Sequence, residues 1–180
     1  MLIAEVVCGQ ESQHGGYFSP ILRLTNFNNQ LGYIGGGRGM WVINSHLSIG
    51  GGFYGLINSP NAHTKTSDGK DYLTDLTYGG LEFEYIIYPL RKAYISLSVL
   101  CAGAGIKINP PSDNYQKYYG GDFLIMEPML TVGYIFGEYT TFQIGISYRS
   151  ISEYTIYYDF QKNSLEGLSA NLAFTFGKFW

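Results

Sequence analysis

The segment "NLAFTFGKFW", residues 171–180, places Leu172, Phe174, Phe176 and Trp180 on one face of an extended chain. Asn171, Ala173, Thr175 and Gly177 fall between them. Strict alternation of this kind marks a strand with one apolar face. In a water-soluble protein that face must pack on a core. In a transmembrane barrel it meets lipid, and the polar face turns inward. The choice between these two orientations settles the fold.

Composition narrows the choice. The 180 residues imply one domain. They include 24 Gly, 17 Tyr and 11 Phe, and only 14% are charged, against roughly 25% in an average globular chain. Aromatic and β-branched residues favour pleated, half-buried surfaces. The net charge of −3 comes with no basic stripe, which argues against a nucleic-acid partner. No run of about 18 apolar residues is present, so a transmembrane helix is excluded. A transmembrane barrel stays open, because alternating strands hold the mean hydropathy near zero (−0.02 here).

Working back from the last segment, strand-like stretches separated by turn signals are expected at about 16–27, 31–43, 46–57, 74–88, 92–106, 122–136, 139–158 and 166–180. The links alternate in length. "INSH" (43–46), "PLRK" (89–92) and "FGEY" (136–139) are tight; "NSPNAHTKTSDGKDY" (58–72) and "KINPPSDNYQKYYGG" (107–121) are long and polar. Short turns on one rim and long loops on the other fit an outer-membrane barrel with its short side periplasmic. "NFNNQLG" (26–32) is a short exception on the outer rim.

The period-two test is met along the chain. Phe142, Ile144, Ile146 and Tyr148 oppose Gln143, Gly145, Ser147 and Arg149. Gly79, Leu81, Phe83, Tyr85 and Ile87 oppose Gly80, Glu82, Glu84 and Ile86. The polar faces read as consistently small or charged, and as too rich in Gly, Ser, Ala and Thr for a water-facing surface. An eight-stranded barrel has an interior only wide enough for side chains, and the large rings would overfill it. Aromatics also gather near strand ends. Trp41, Tyr85, Phe136 and Trp180 lie towards the short-turn rim, and Tyr33, Phe53 and Tyr148 towards the other, as two interfacial girdles would. The expectation is therefore an all-β, eight-stranded antiparallel up-and-down transmembrane barrel over 16–180, preceded by a periplasmic tail at 1–15.

With lipid outside, Arg23, Arg38, Arg149, Glu82, Glu84 and Glu127 must point inward, because a mid-bilayer Arg on the lipid face costs roughly 2–4 kcal/mol. Three cations and three anions then balance, and a closed interior holds them as pairs. They read as an ion-pair plug; a polar pathway or gate is the alternative. The glycine run in "GYIGGGRGMWVIN" (32–44) lacks the Gly-Lys-Ser/Thr ending and following helix of a phosphate loop. It fits strand two instead, with Gly36 making room for Arg38. His14, His46 and His63 do not converge on a metal, and Cys8 and Cys101 show no disulfide or metal spacing. No catalytic residue, metal or cofactor is expected. The start "MLIAEVVCGQESQHGG" lacks a signal peptide's charged region, so an export signal is expected to be missing from it. Tyr115, Tyr118, Tyr119, Tyr154, Tyr157 and Tyr158 lie in or beside long outer links and offer a candidate contact surface for an extracellular ligand.

The aromatic last strand, the loop asymmetry and the inward charges together resemble the small eight-stranded outer-membrane β-barrel families, of the OmpX and OmpA transmembrane-domain type. That resemblance implies a Gram-negative-type outer membrane, a plugged lumen and a monomer. It also implies lipid and lipopolysaccharide as surroundings, and recognition of the last strand by the barrel assembly machinery. Lys178 stands where an aromatic is common and Trp180 replaces the usual Phe. Family roles run from envelope integrity to adhesion. Residues 145–176 also look faintly like the end of the lipid A deacylase family. Ser150 or Ser152 would be the nucleophile and Glu166 the orienting acid, but Tyr148 and Ser150 occupy the places where its histidine would stand. A narrow channel and a soluble barrel with an internal pocket complete the alternatives.

Overall fold

The structure, a computed structural model, describes residues 15–27, 30–44, 46–58, 61–62, 72–87, 92–109, 119–156 and 165–178. The strands are β1 (Gly15–Phe27), β2 (Gln30–Asn44), β3 (Leu47–Leu56), β4 (Asn61–Ala62), β5 (Tyr72–Ile87), β6 (Ala93–Asn109), β7 (Tyr119–Ile135), β8 (Thr140–Ile156) and β9 (Gly167–Lys178). Every pairing is antiparallel and joins sequence neighbours, except that β1 pairs with β9 and β3 pairs past β4 with β5. Eight strands thus close into an up-and-down barrel. The two-residue β4 was not anticipated. It pairs only with Tyr72 and Leu73, extending β5 along the link that precedes it.

Closure removes the sheet edges that would otherwise template aggregation. Antiparallel alternation puts the links at 45–46, 88–92 and 136–139 on one rim, and those at 28–29, 57–71, 110–118 and 157–166 on the other. β6, β7 and β8 each run 17 residues, whereas β3 has 10. Their ladders continue into polar residues such as Lys107 and Asp122, which is why β6 and β7 extend past the expected 106 and start before 122. The tail expected at 1–15 lies outside the described residues, except Gly15, which opens β1.

Side chains divide by face. Phe18, Trp41, Phe53, Leu81, Leu97, Ile146, Leu168 and Phe174 are all more than half exposed, while Arg23, Arg38, Arg149, Glu82, Glu84 and Glu127 are at most 2% exposed. A water-soluble barrel would show the reverse. The interior is not uniformly small or charged, however. Phe27, Leu76, Ile106, Phe123, Ile151 and Leu165 belong to a buried apolar cluster, and their places in the strands put them towards the longer-link rim. Tyr17, Met40 and Val42 form a second cluster nearer the other rim. Apolar layers cap the polar belt because its charges then stay away from water at both mouths.

Two glycines answer to close approach. A Cβ on Gly36 would run into the Phe53 carbonyl and fall 2.5 Å from Tyr54 Cδ1, so Gly36 lets β3 and the Tyr54 ring come close. Gly177 has φ of 145°, a conformation rare for other residues, and a Cβ there would lie 2.5 Å from Tyr17 Cα. Pro20 and Pro128 sit at breaks in the β1–β9 and β7–β8 pairings, while each keeps its register with the strand on its other side. Proline has no N–H to give a ladder, so it is confined to such breaks.

Candidate functional site in the barrel interior

The inner faces of five strands deliver from one to three of the polar side chains that fill the interior. β1 contributes Tyr17, Ser19 and Arg23; β2, Arg38; β5, Tyr78, Glu82 and Glu84; β7, Glu127; β8, Gln143, Ser147 and Arg149. Arg38 is the hub. Its Nη1 donates to Glu82, its Nη2 to Glu84 at 3.4 Å and to Gln143 Oε1 at 3.0 Å. Tyr17 donates its hydroxyl to Glu84, Ser98 donates to Glu82 at 3.0 Å, and Gln143 passes the network on to Tyr94 at 2.6 Å. A second node pairs Arg23 Nη1 with Glu127 at 2.5 Å. Ser147 donates to the other Glu127 oxygen at 2.6 Å and in turn accepts from Asn171 at 3.1 Å. The Arg23 guanidinium lies 3.8 Å from the Tyr54 ring centroid, and Tyr54 stacks on Tyr78 at 5.2 Å.

Charge-assisted bonds of this kind are strong when desolvated, and each carboxylate here has at least two donors. That satisfies the condition under which buried charge is tolerated. Arg149 departs from the expected pairing. Among the described residues no carboxylate pairs with it. Its Nε donates to the Leu165 carbonyl at 2.7 Å, its Nη2 reaches Thr25 Oγ1 at 3.4 Å, and its guanidinium lies 4.6 Å from the Phe27 ring centroid. Both Glu82 and Glu84 go to Arg38 instead, since β5 and β2 flank the same strand, β3, whereas β6 and β7 stand between β5 and β8.

A gap lined by Ile21, Arg38, Thr131, Gln143 and Asn171 has a volume of about 10 Å³, close to the least that one water needs. No group of three His, Cys, Asp or Glu among the described residues is arranged to hold a metal.

Trp41, Tyr85, Phe136 and Tyr148 are exposed on the outer surface. Phe136 meets Tyr134 edge-on at 5.1 Å, and Phe142 and Phe174 sit side by side at 5.2 Å. Tyr119 opens β7 and Tyr154 lies in β8. Trp180, Tyr115, Tyr118, Tyr157 and Tyr158 lie outside the described residues. Ser150 and Ser152 follow the outward parity of β8, and Glu166 accepts the Ile151 amide at 2.9 Å. Tyr17, Tyr54, Tyr78, Tyr94 and Gln143 join the network beyond the six charged residues expected in it. Inward parity was available for Tyr54, Tyr94 and Gln143, but which carboxylate or amide each meets depends on cross-lumen placement.

No protein-family model matches the chain, and no curated protein matches it in sequence. Its shape does match solved structures. The N-terminal β-barrel domain of Pseudomonas aeruginosa OprF superposes with a TM-score of 0.61 at 11% identity, covering 92% of this chain and 99% of that one. Neisserial surface protein A (NspA) gives 0.59 at 10% identity, over 93% and 97%. Ail, the attachment invasion locus protein of Yersinia pestis, solved with the heparin analogue sucrose octasulfate, gives 0.55 at 8% identity, over 91% and 97%. The chain has the closed eight-stranded antiparallel fold of these small outer-membrane barrels.

Proposed function

We propose that the chain is an integral outer-membrane protein whose lumen is closed by its own side chains and which serves the envelope through structure or surface contact. The observation that carries this reading is the inverted partition of side chains: six ionised residues buried inside, large apolar residues outside. A bilayer-spanning strand needs about 9–11 residues. The 17 residues of β6, β7 and β8 therefore leave several beyond the membrane. With the short turns periplasmic, that excess and the links at 57–71, 110–118 and 157–166 face outward. The tyrosines at 115, 118, 119, 154, 157 and 158 supply flat, hydrogen-bonding surface there for an extracellular partner. Exposed Trp41, Tyr85, Phe136 and Tyr148 act as interfacial anchors, with lipid and lipopolysaccharide around a monomer and the assembly machinery reading the last strand. Hydrolysis is not part of the proposal, because Ser150 and Ser152 lack the histidine that would activate them.

The test is gel mobility of unboiled against boiled protein from isolated outer membranes. The folded form should migrate faster until boiled. Protein released without detergent, or showing no shift, would defeat the reading. A narrow pore is the second reading, and buried polar atoms without partners, among them Arg23 Nε, Arg38 Nε and Asn171 Oδ1, favour it. Planar-bilayer recording separates the two. A closed lumen gives no steady openings; a pore gives openings that change on replacing Arg38 or Glu82.

A further inference from the structure

We propose that the lumen holds a single small inorganic anion, a halide, between Arg149 and Ser169 near the longer-link rim. The interior balances its charges in number but not in place. Arg38 has two carboxylates and Arg23 has one, which leaves Arg149 without a counter-ion among the described residues. Its side chain is fully buried. An uncompensated buried guanidinium is costly, and a carbonyl, a hydroxyl and a ring face only partly offset that.

The local chemistry is one of donors lacking an acceptor. Arg149 Nη1 is buried with no hydrogen-bond partner, and so is Ser169 Oγ. The two belong to one patch. Ser169 is paired with Ser147 on β8 and with Thr25 on β1, and Thr25 is the residue that Arg149 Nη2 reaches. Directly across the ladder from Arg149 stands Gly167. Leu168 points outward, so position 167 points inward, and among the described residues a Cβ built there would have only Asn26 O within 4 Å, at 3.4 Å. The missing side chain leaves room on the inner face at the position opposite Arg149 in the ladder. A space with a cation, a free N–H and a hydroxyl, walled by the apolar ring of Phe27, suits a weakly hydrated anion that accepts from all sides. A water would satisfy the donors but not the charge.

Wild-type protein and the variants R149M and G167V would be folded in non-ionic detergent and soaked as crystals in bromide, with the anomalous signal read at residue 149. In parallel, the fraction of folded band on unboiled gels would be followed against temperature in bromide and in gluconate at equal ionic strength. The wild type should show one bromide in contact with Arg149 Nη1 and a saturable rise of a few degrees in its midpoint in bromide. Both variants should lose both signals. G167V keeps the charge and fills the space, so it carries the comparison even where R149M fails to fold. The proposal falls if wild-type crystals show no bromide at Nη1, if the peak appears without a shift in solution, or if G167V keeps the bromide effect.

Discussion

Arg23 and Glu127 lie 104 positions apart, yet their side chains meet at 2.5 Å with less than 2% exposure. Replacing Glu127 by Gln leaves the guanidinium beside a neutral amide. A broken buried pair costs about 3–5 kcal/mol, so the variant should unfold at clearly lower urea in lipid vesicles. The double change Arg23→Met with Glu127→Leu should recover most of that loss, because removing both charges removes the desolvation problem as well. Equal losses in the single and double variants would show that shape, not charge, governs the site. That these residues point inward was legible in their parity along β1 and β7. Their partnership was not, since a strand's alternation fixes the face of a side chain but says nothing about what stands opposite across the lumen. Arg149 makes the same point: three and three looked like three pairs, yet Arg38 holds two of the carboxylates.

Along an element, the same substitution should cost different amounts at different heights and on different faces. Ile144 is on the outer face of β8, four residues in from its start at Thr140, paired with Val132 and Leu172. Ile144→Arg should destabilise the barrel by about 2–4 kcal/mol, and Tyr139→Arg, at the short-turn rim, by about 0–1 kcal/mol. Urea titration in vesicles reads both, and equal effects would contradict a bilayer around β8. Gly36→Val tests the inner face of β2, where the added side chain would run into the β3 backbone at the Phe53 carbonyl and Tyr54 Cα as well as the Tyr54 ring. Overpacking a tight interior costs typically about 1–3 kcal/mol, read by the same urea titration, and because the nearest contact is the β3 backbone, adding Tyr54→Ala should not restore the loss. The strands themselves were readable from period two and from tight turns at three links. The two-residue β4 was not, because Asn61 and Ala62 carry no alternation and pair only by extending a neighbour's ladder. Nor were the apolar caps of the lumen: Leu76 and Ile106 fall inside the expected strands, but an inner face read as small or charged leaves no place for a layer of large apolar side chains at the rim.

For the whole molecule the decisive property is what solvent surrounds the barrel. Cys101 offers a native reporter: it is a free thiol exposed on the outer face of β6, paired with Leu81 and Met126. Its neighbours on that face, Val99 and Leu97, are apolar, as the hydrocarbon region of a bilayer requires. With Cys8 changed to Ser, a nitroxide placed on Cys101 in reconstituted vesicles should collide more often with dissolved oxygen than with a water-soluble nickel chelate. A nitroxide on a cysteine introduced at Glu138, in the exposed link at 136–139, should show the opposite ratio. The pair of measurements compares two outward positions in one protein and does not depend on any activity. A barrel standing in water would give chelate-dominated collisions at both positions, and the same inside-out arrangement of Arg38, Glu82 and Phe174 would then have no physical support, since about 28 exposed large apolar side chains would face water with nothing to offset them.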